Sequence, residues 1–225
     1  MEDARLTGWQ RSLVLGLDRG ILSLSRNWPL WLNIFWAVYI ASAVAAPLLM
    51  AGGQADAAGW VYRAHRLNCH QLAHRSFFLF GPQATYSTEE IASQIPVRAI
   101  EDLQNFVGND GVGYKVAFCQ RDVAIYCSIL AAGLIFTRWR ERARGLPWPV
   151  YLLFVLPVAF DALTQFTGLR ESNWIWRVAT GSLFGASTVW LAYPLVDRAL
   201  QDIGRQAQRQ LDRASRREVN CQPKG

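Results

Sequence analysis

The sequence is poor in charge. Asp, Glu, Lys and Arg make up 18% of its 225 residues, against roughly 25% in an ordinary soluble domain. It has only three His, four Cys and two Lys, and no Cys-x-x-Cys. The missing Cys-x-x-Cys argues against thiol–disulfide catalysis of the usual kind. Four Cys beside ten Trp do not make a small disulfide scaffold. No internal repeat, low-complexity segment or strand-period run of useful length is visible. What the sequence does have is apolar residues, at 52%, which exclude a disordered chain. Mean hydropathy is nevertheless only +0.08, so those residues are concentrated in blocks. The net charge of +6 is almost wholly arginine, and its distribution between the blocks points to a membrane rather than to nucleic acid.

A bilayer-crossing helix needs roughly 20 mostly apolar residues. Residues 30–50 form an uncharged stretch flanked by Trp28 and Trp31, which suit the bilayer interface. Further runs lie at 121–137, 150–169 and 178–197, the last with Gly181-x-x-x-Gly185, a pattern that lets helices approach closely. A large soluble helical core is the alternative, but these runs lack the polar face of a half-buried helix. Ala43-Val44-Ala45 resembles a signal cleavage site, yet 29 residues precede a 21-residue stretch. That favours a retained span. Fifteen Arg and Lys fall in the N-terminal segment, the 138–149 connection and the tail, and eight elsewhere. By the positive-inside rule both termini are cytoplasmic.

The expected architecture is all-α: a polytopic four-helix transmembrane bundle in a prokaryotic cell membrane, with a helical extracytoplasmic loop over 51–120. Residues 1–28 place Leu6, Trp9, Leu13, Leu17, Ile21 and Leu24 at helical spacing. They read as an amphipathic helix on the cytoplasmic surface. Residues 198–225 read as a basic tail near anionic headgroups. Neither segment needs nucleic acid to explain it.

The outer loop is too long to be structureless. Residues 59–80 read as a helix ending before Gly81-Pro82. Ser87 and Glu90 form a capping box for a short helix to about Gln94, and Pro96 starts another that Gly108 ends. Asn109-Asp110-Gly111 is a turn signal. His65, Cys69, His70 and His74 all fall in the first helix. Regular helical spacing puts His70 and His74 on one face, and His65 and Cys69 on another. The four cannot converge on one ion; His70 and His74 at i, i+4 could still give two ligands, but Arg63 and Arg66 flank His70 and oppose a metal, so none is assigned. A phosphate or carboxylate contact, and ordinary surface imidazoles, are the other readings. Cys127 lies in a span and Cys221 in the tail, which leaves Cys69 and Cys119 as the outer pair. They are either a disulfide, two free thiols, or thiolate ligands.

Ionisable groups within spans are costly and therefore informative. Cys119, Asp122 and Tyr126 share a face of the second span; Asp161 and Gln165 share one on the third; Arg177, Gly181 and Thr188 line up on the fourth. Asp161 needs a partner, and Arg177 or Arg121 is the economical candidate. One reading is a structural Asp–Arg pair that fixes helix register. The other is a polar cavity near the outer leaflet holding Arg121, Asp122, Asp161, Gln165, Arg170, Asn173 and Arg177, with His70 and His74 above. Several guanidiniums beside acids and imidazoles suit a phosphate or carboxylate group.

Ordered motifs run through this region. They are Cys69-His70-Gln71, Arg75-Ser76-Phe77-Phe78 and Gly81, then Cys119-x-Arg121-Asp122 with Ile125-Tyr126. Asp161-x-x-x-Gln165, Gly168-x-Arg170-x-Ser172-Asn173 and Arg177-x-x-Thr180-Gly181-x-x-x-Gly185 follow. In this order the set resembles the prokaryotic integral membrane proteins grouped as domain of unknown function 2085, over about residues 60–190. Cys127 departs from the pattern, which often has glycine there. The resemblance implies a multi-span membrane protein and supplies no reaction.

The functional expectation is a site that binds or processes an anionic lipid headgroup or phosphate-bearing substrate. His70, His74, Asp122 and Asp161 are its catalytic candidates. Arg75, Arg121, Gln165, Arg170, Asn173 and Arg177 are its binding residues. The sequence names no cofactor. The alternative is a non-catalytic accessory or assembly subunit with a membrane-protein partner. A channel fits less well, because the inner half offers no continuous polar path.

Overall fold

The computed structural model describes residues 8–221. Leu6 of the expected surface helix and Lys224 of the tail lie outside the described residues. In chain order come α1 (Trp9–Ala51), α2 (Ala55–His65), a 3-10 turn (Ala73–Arg75), β1 (Ser76–Leu79), α3 (Thr88–Ala92) and α4 (Ile100–Asn105). They are followed by β2 (Gly108–Asn109), β3 (Gly113–Cys119), α5 (Gln120–Trp139), α6 (Trp148–Phe166) and α7 (Trp174–Cys221). Among the described residues three helices are long and apolar enough to cross a membrane, over Ser12–Ala51, Gln120–Trp139 and Trp148–Phe166. The 178–197 part of α7 is not among them, because glycines, serines and threonines dilute its apolar character.

The close contacts fix the direction of each helix. Arg121 faces Gly181 and Ile125 faces Gly185, so α5 and α7 run parallel. Asn33 Nδ2 donates to Thr137 Oγ1 and Trp36 stacks on Tyr126, so α1 runs antiparallel to both. Tyr151 meets Thr188 and Gly145 meets Pro194, which makes α6 antiparallel to α7. The long helices therefore run alongside one another, with the sheet at one end and the start of α1 and the end of α7 at the other. The glycines allow this closeness. A Cβ on Gly185 would sit 2.2 Å from Ser128 Oγ and 2.5 Å from the Ile125 carbonyl.

Two helices run past their expected ends. α1 continues through residue 28, so the expected surface helix and first span form one rod, about 64 Å long at ~1.5 Å per residue. α7 likewise continues through residue 197 into the tail. Inside α1, Pro29 has no N–H, which leaves the Ser25 carbonyl without its helical donor. Arg140 Nη2 supplies one at 2.9 Å, and its Nη1 donates to the Arg26 carbonyl at 2.5 Å. The same guanidinium pairs with buried Asp197, which also accepts from Trp28 Nε1 at 3.0 Å and Gln201 Nε2 at 2.7 Å. This network ties α1, α5 and α7 together at the terminal end.

The 51–120 loop departs most from expectation. The helix expected over 59–80 stops at His65, and Gln71 then takes a left-handed backbone with φ 50°. The chain continues into an antiparallel three-stranded sheet of order β1-β3-β2, with Ser76 opposite Cys119 and Gly108 opposite Tyr114. The fold is mostly helical rather than all-α. The strands escape sequence reading because β3 is buried on both faces except at Tyr114, so its residues do not alternate. The capping box of Ser87 and Glu90 is present, opening α3. The next helix begins at Ile100 rather than Pro96, its first turn held by Asp102 accepting from the Arg98 and Ala99 amides. Asn109 Oδ1 accepts from the Gly111 and Val112 amides, which makes the expected turn.

Replacing Gly185 by Leu should force α5 from α7 and cost about 1–3 kcal/mol, whereas Gly20→Ala, with nothing within 4 Å, should be neutral or slightly stabilising. Thermal unfolding in detergent distinguishes the two.

Candidate functional site

At the sheet end, the first turn of α5, the last turns of α6, the α6–α7 link and the start of α7 converge. Asp161 is only 4% exposed. Its Oδ2 accepts from Arg121 Nη2 at 2.5 Å and from Gln165 Nε2 at 3.0 Å, and Arg170 Nη2 stands 3.6 Å from Oδ1. Gly168, with φ 70°, turns the chain at the end of α6 and so brings Arg170 back over the carboxylate. Of the two partners expected for Asp161, Arg121 holds it and Arg177 does not.

Arg177 is 5% exposed and donates from Nη1 to Gln120 Oε1 at 3.0 Å. Gln120 in turn donates to the Ser76 carbonyl at 3.2 Å, which links α7 through α5 to β1. Arg177 has no carboxylate partner among the described residues, and its Nε makes no hydrogen bond there. It lines a cleft of about 410 Å³ together with His74, Gln120, Glu171, Ser172 and Asn173. The opposite wall comes from the α3 region, including Ser87 and Glu89.

His74 Nε2 accepts from Arg75 Nε at 3.0 Å and lies 3.7 Å from Glu171. Burial, and then Arg75 and Arg177, push its pKa down to about 4, so the ring is neutral at pH 7. Its Nδ1 is buried without a partner. His70 lies on the surface, its Nδ1 facing the Leu72 amide at 3.4 Å. Its pKa is also lowered, by desolvation and then by Arg75. His65 belongs to the packing: Nε2 meets Ser42 Oγ at 2.9 Å and the ring packs edge-on against Phe118.

The expected residues therefore gather at one end but not in one cavity. His74, Asn173 and Arg177 line the cleft, while Asp161, Arg121, Gln165 and Arg170 form an ion-paired group beside it. Asn173 Oδ1 caps α7 by accepting from the Trp176 amide at 2.9 Å. Cys69, Cys119 and Asp122 form a third group; both cysteines are buried and free, so no disulfide joins them.

Two buried residues were missed by sequence reading. Gln120 carries no charge to mark it. Lys115 reads in the sequence as an ordinary loop cation, yet it is fully buried. Its Nζ donates to the Gln71 and Gln104 carbonyls, each at 2.7 Å, and burial lowers its pKa to about 7.

Comparison with known proteins agrees with the motifs. Residues 111–191 match a family described as a predicted membrane protein, DUF2085. An uncharacterized protein of Methanocaldococcus jannaschii is 28% identical over 137 residues, covering 60% of this chain and 67% of the relative. No solved structure matches the chain. The matched segment runs from the turn before β3 through α5 and α6 into α7, and over it the chain is similar to the DUF2085 family of predicted membrane proteins.

Proposed function

We propose that the protein is a four-span membrane protein that binds an anionic headgroup or phosphate-bearing ligand at the sheet end of its bundle. The fourth span is the first half of α7, which packs parallel to α5 through Gly181 and Gly185. The basic N-terminal segment, the 138–149 connection and the tail all lie at the terminal end. The positive-inside rule then makes that end cytoplasmic and the sheet end extracytoplasmic in a prokaryotic cell membrane.

One observation carries the ligand reading: Arg177 is buried, lines a cleft and makes no direct ion pair among the described residues, Glu171 acting on it only from the cleft wall. A buried cation without a direct partner is costly, and an anion entering the cleft offsets that cost. Arg75, Arg121 and Arg170 add positive charge nearby, with Glu171 and Asp161 limiting the excess. Guanidinium geometry suits a two-oxygen contact with phosphate or carboxylate. His74, kept neutral by burial and then by Arg75 and Arg177, has a ring nitrogen without a hydrogen-bond partner and is the acid–base candidate. His70, Asp122 and Asp161 are weaker candidates, since none of them lines the cleft.

A second reading, an accessory subunit, draws support from α1. Trp9, Leu13, Leu17, Ile21 and Leu24 are exposed along one stripe of a helix continuous with the first span. A membrane-protein partner could cover that stripe.

Phosphatidylglycerol or inorganic phosphate should raise the melting temperature of the detergent-solubilised protein, and phosphatidylcholine should not. At ligand a hundredfold above Kd the gain is about 2.7 kcal/mol. Arg177→Gln and the more exposed Arg170→Gln should each lose most of it. A folded Arg177→Gln protein with an unchanged shift overturns the reading.

The His74 environment sets a pH dependence. The unfolded chain takes up a proton near pH 6.5 and the folded one only near 4. Stability contributed by this group is therefore fully present above pH 6.5 and is lost as pH falls toward 4. Unfolding midpoints across that window should drop less steeply in His74→Gln.

A further inference from the structure

Three ligand-type side chains outside the cleft meet where the sheet joins the bundle. Cys69 lies in the non-helical stretch after α2, Cys119 ends β3 and caps α5, and Asp122 sits in the first turn of α5. The two sulfurs and an Asp122 carboxylate oxygen all lie within 4.8 Å of one another. The thiols are 5% and 6% exposed, while Asp122 is half-buried and opens the group toward solvent. The helical phase argument against a metal does not apply here, because residues 66–72 are not helical and two of the three ligand residues come from outside that stretch.

We propose that Cys69, Cys119 and Asp122 bind a thiolate-seeking transition-metal ion, Zn2+ being the best fit. Two sulfurs disfavour Mg2+ and Ca2+, which take oxygen ligands. Soft thiolates beside a carboxylate suit Zn2+, for which three protein ligands leave one tetrahedral position to water or substrate. A disulfide would give the Asp122 carboxylate no role, whereas an ion gives all three groups the same one. The chain already orients the sulfurs: the Cys119 amide donates to Cys69 Sγ at 3.1 Å, and the Asp122 amide to Cys119 Sγ at 3.5 Å. Lys115 from β3, Arg121 from α5 and Arg177 from α7 are the nearby cations, and His70 is the neighbouring imidazole. They balance the negative charge that two thiolates and a carboxylate leave around a divalent ion. Without an ion, Cys69 holds its proton, pinned by the hydrogen bond with Cys119 and by burial. Metal binding releases the thiol protons to solvent.

This site does not depend on the anion reading, and its test reads a different signal. The probe is Co2+ added to reduced, chelator-treated full-length protein in a Cys127→Ser, Cys221→Ser background. One equivalent should produce a sulfur-to-cobalt charge-transfer band in the near ultraviolet, removed by Zn2+. Cys69→Ser or Cys119→Ser should abolish the band, and Asp122→Asn should weaken Co2+ binding by about tenfold or more. Absence of the band in the folded parent overturns the proposal, as does a band that survives both cysteine substitutions. So does a Cys69–Cys119 disulfide in protein isolated from membranes without reductant. The parent titration needs no substitution at the site, so it decides the matter even if the cysteine variants fail to fold.

Discussion

A carboxylate on a membrane helix costs from about 2.5 kcal/mol upward unless it is paired, and Asp161 is the one fully buried residue of α6. Just over half of the other residues on that helix are exposed, including Leu153, Leu156, Phe160 and Leu163, and the rest are only half-buried. Apolar packing therefore does little to choose where α6 sits around the bundle. The Arg121–Asp161 pair chooses it, because only one rotation of α6 puts the carboxylate against the start of α5. Gln165 and Arg170 complete that choice from the same helix end. The α6–α7 link, and with it Ser172, Asn173 and the start of α7, is placed by this pairing. The cleft inherits its shape from the same contact.

The terminal end repeats the principle with different parts. Asp197 on α7 and Arg140 after α5 meet beside Trp28, and the arginine also serves two carbonyls of α1 near Pro29. Between these polar ends the bundle is apolar, held by Phe136, Val189 and Tyr193 around Trp28. Charge sets register at both ends, and close-packed small residues set spacing between them. Membrane helices have little hydrophobic drive to associate with one another, which explains why both devices are needed.

Legibility in the sequence followed how local each signal was. The apolar blocks of α1, α5 and α6, the glycine pair of α7, the capping box at Ser87 and the need of Asp161 for an arginine rest on short-range spacing or on cost, and each is readable, whereas the choice of Arg121 over Arg177 is not. The loop between α1 and α5 was not. Its helix stops at His65, and Gln71 then turns the chain in a left-handed conformation that no residue type there announces. β3 lacks alternation because α1 covers one side and the loop's own residues cover the other. Once those strands form, Cys69 and Cys119 become neighbours across 50 residues of chain. Cysteine parity already pairs them, but nothing in the spacing puts Asp122 beside both. The site residues were found by type, but their division into a cleft, an ion-paired group and a thiol group is tertiary information.

Lys115 gives the loop a property of its own. Its amine bridges the carbonyl of Gln71, before β1, and that of Gln104, in α4, from the middle of β3. The amine donates one N–H to each of these two carbonyls. The loop is thus clasped around one nitrogen that solvent does not reach. Lys115 is also the single lysine among the described residues. Amine-directed chemistry can touch this part of the protein only when the clasp parts, so acylation of Lys115 would act as a clock for breathing of the cap.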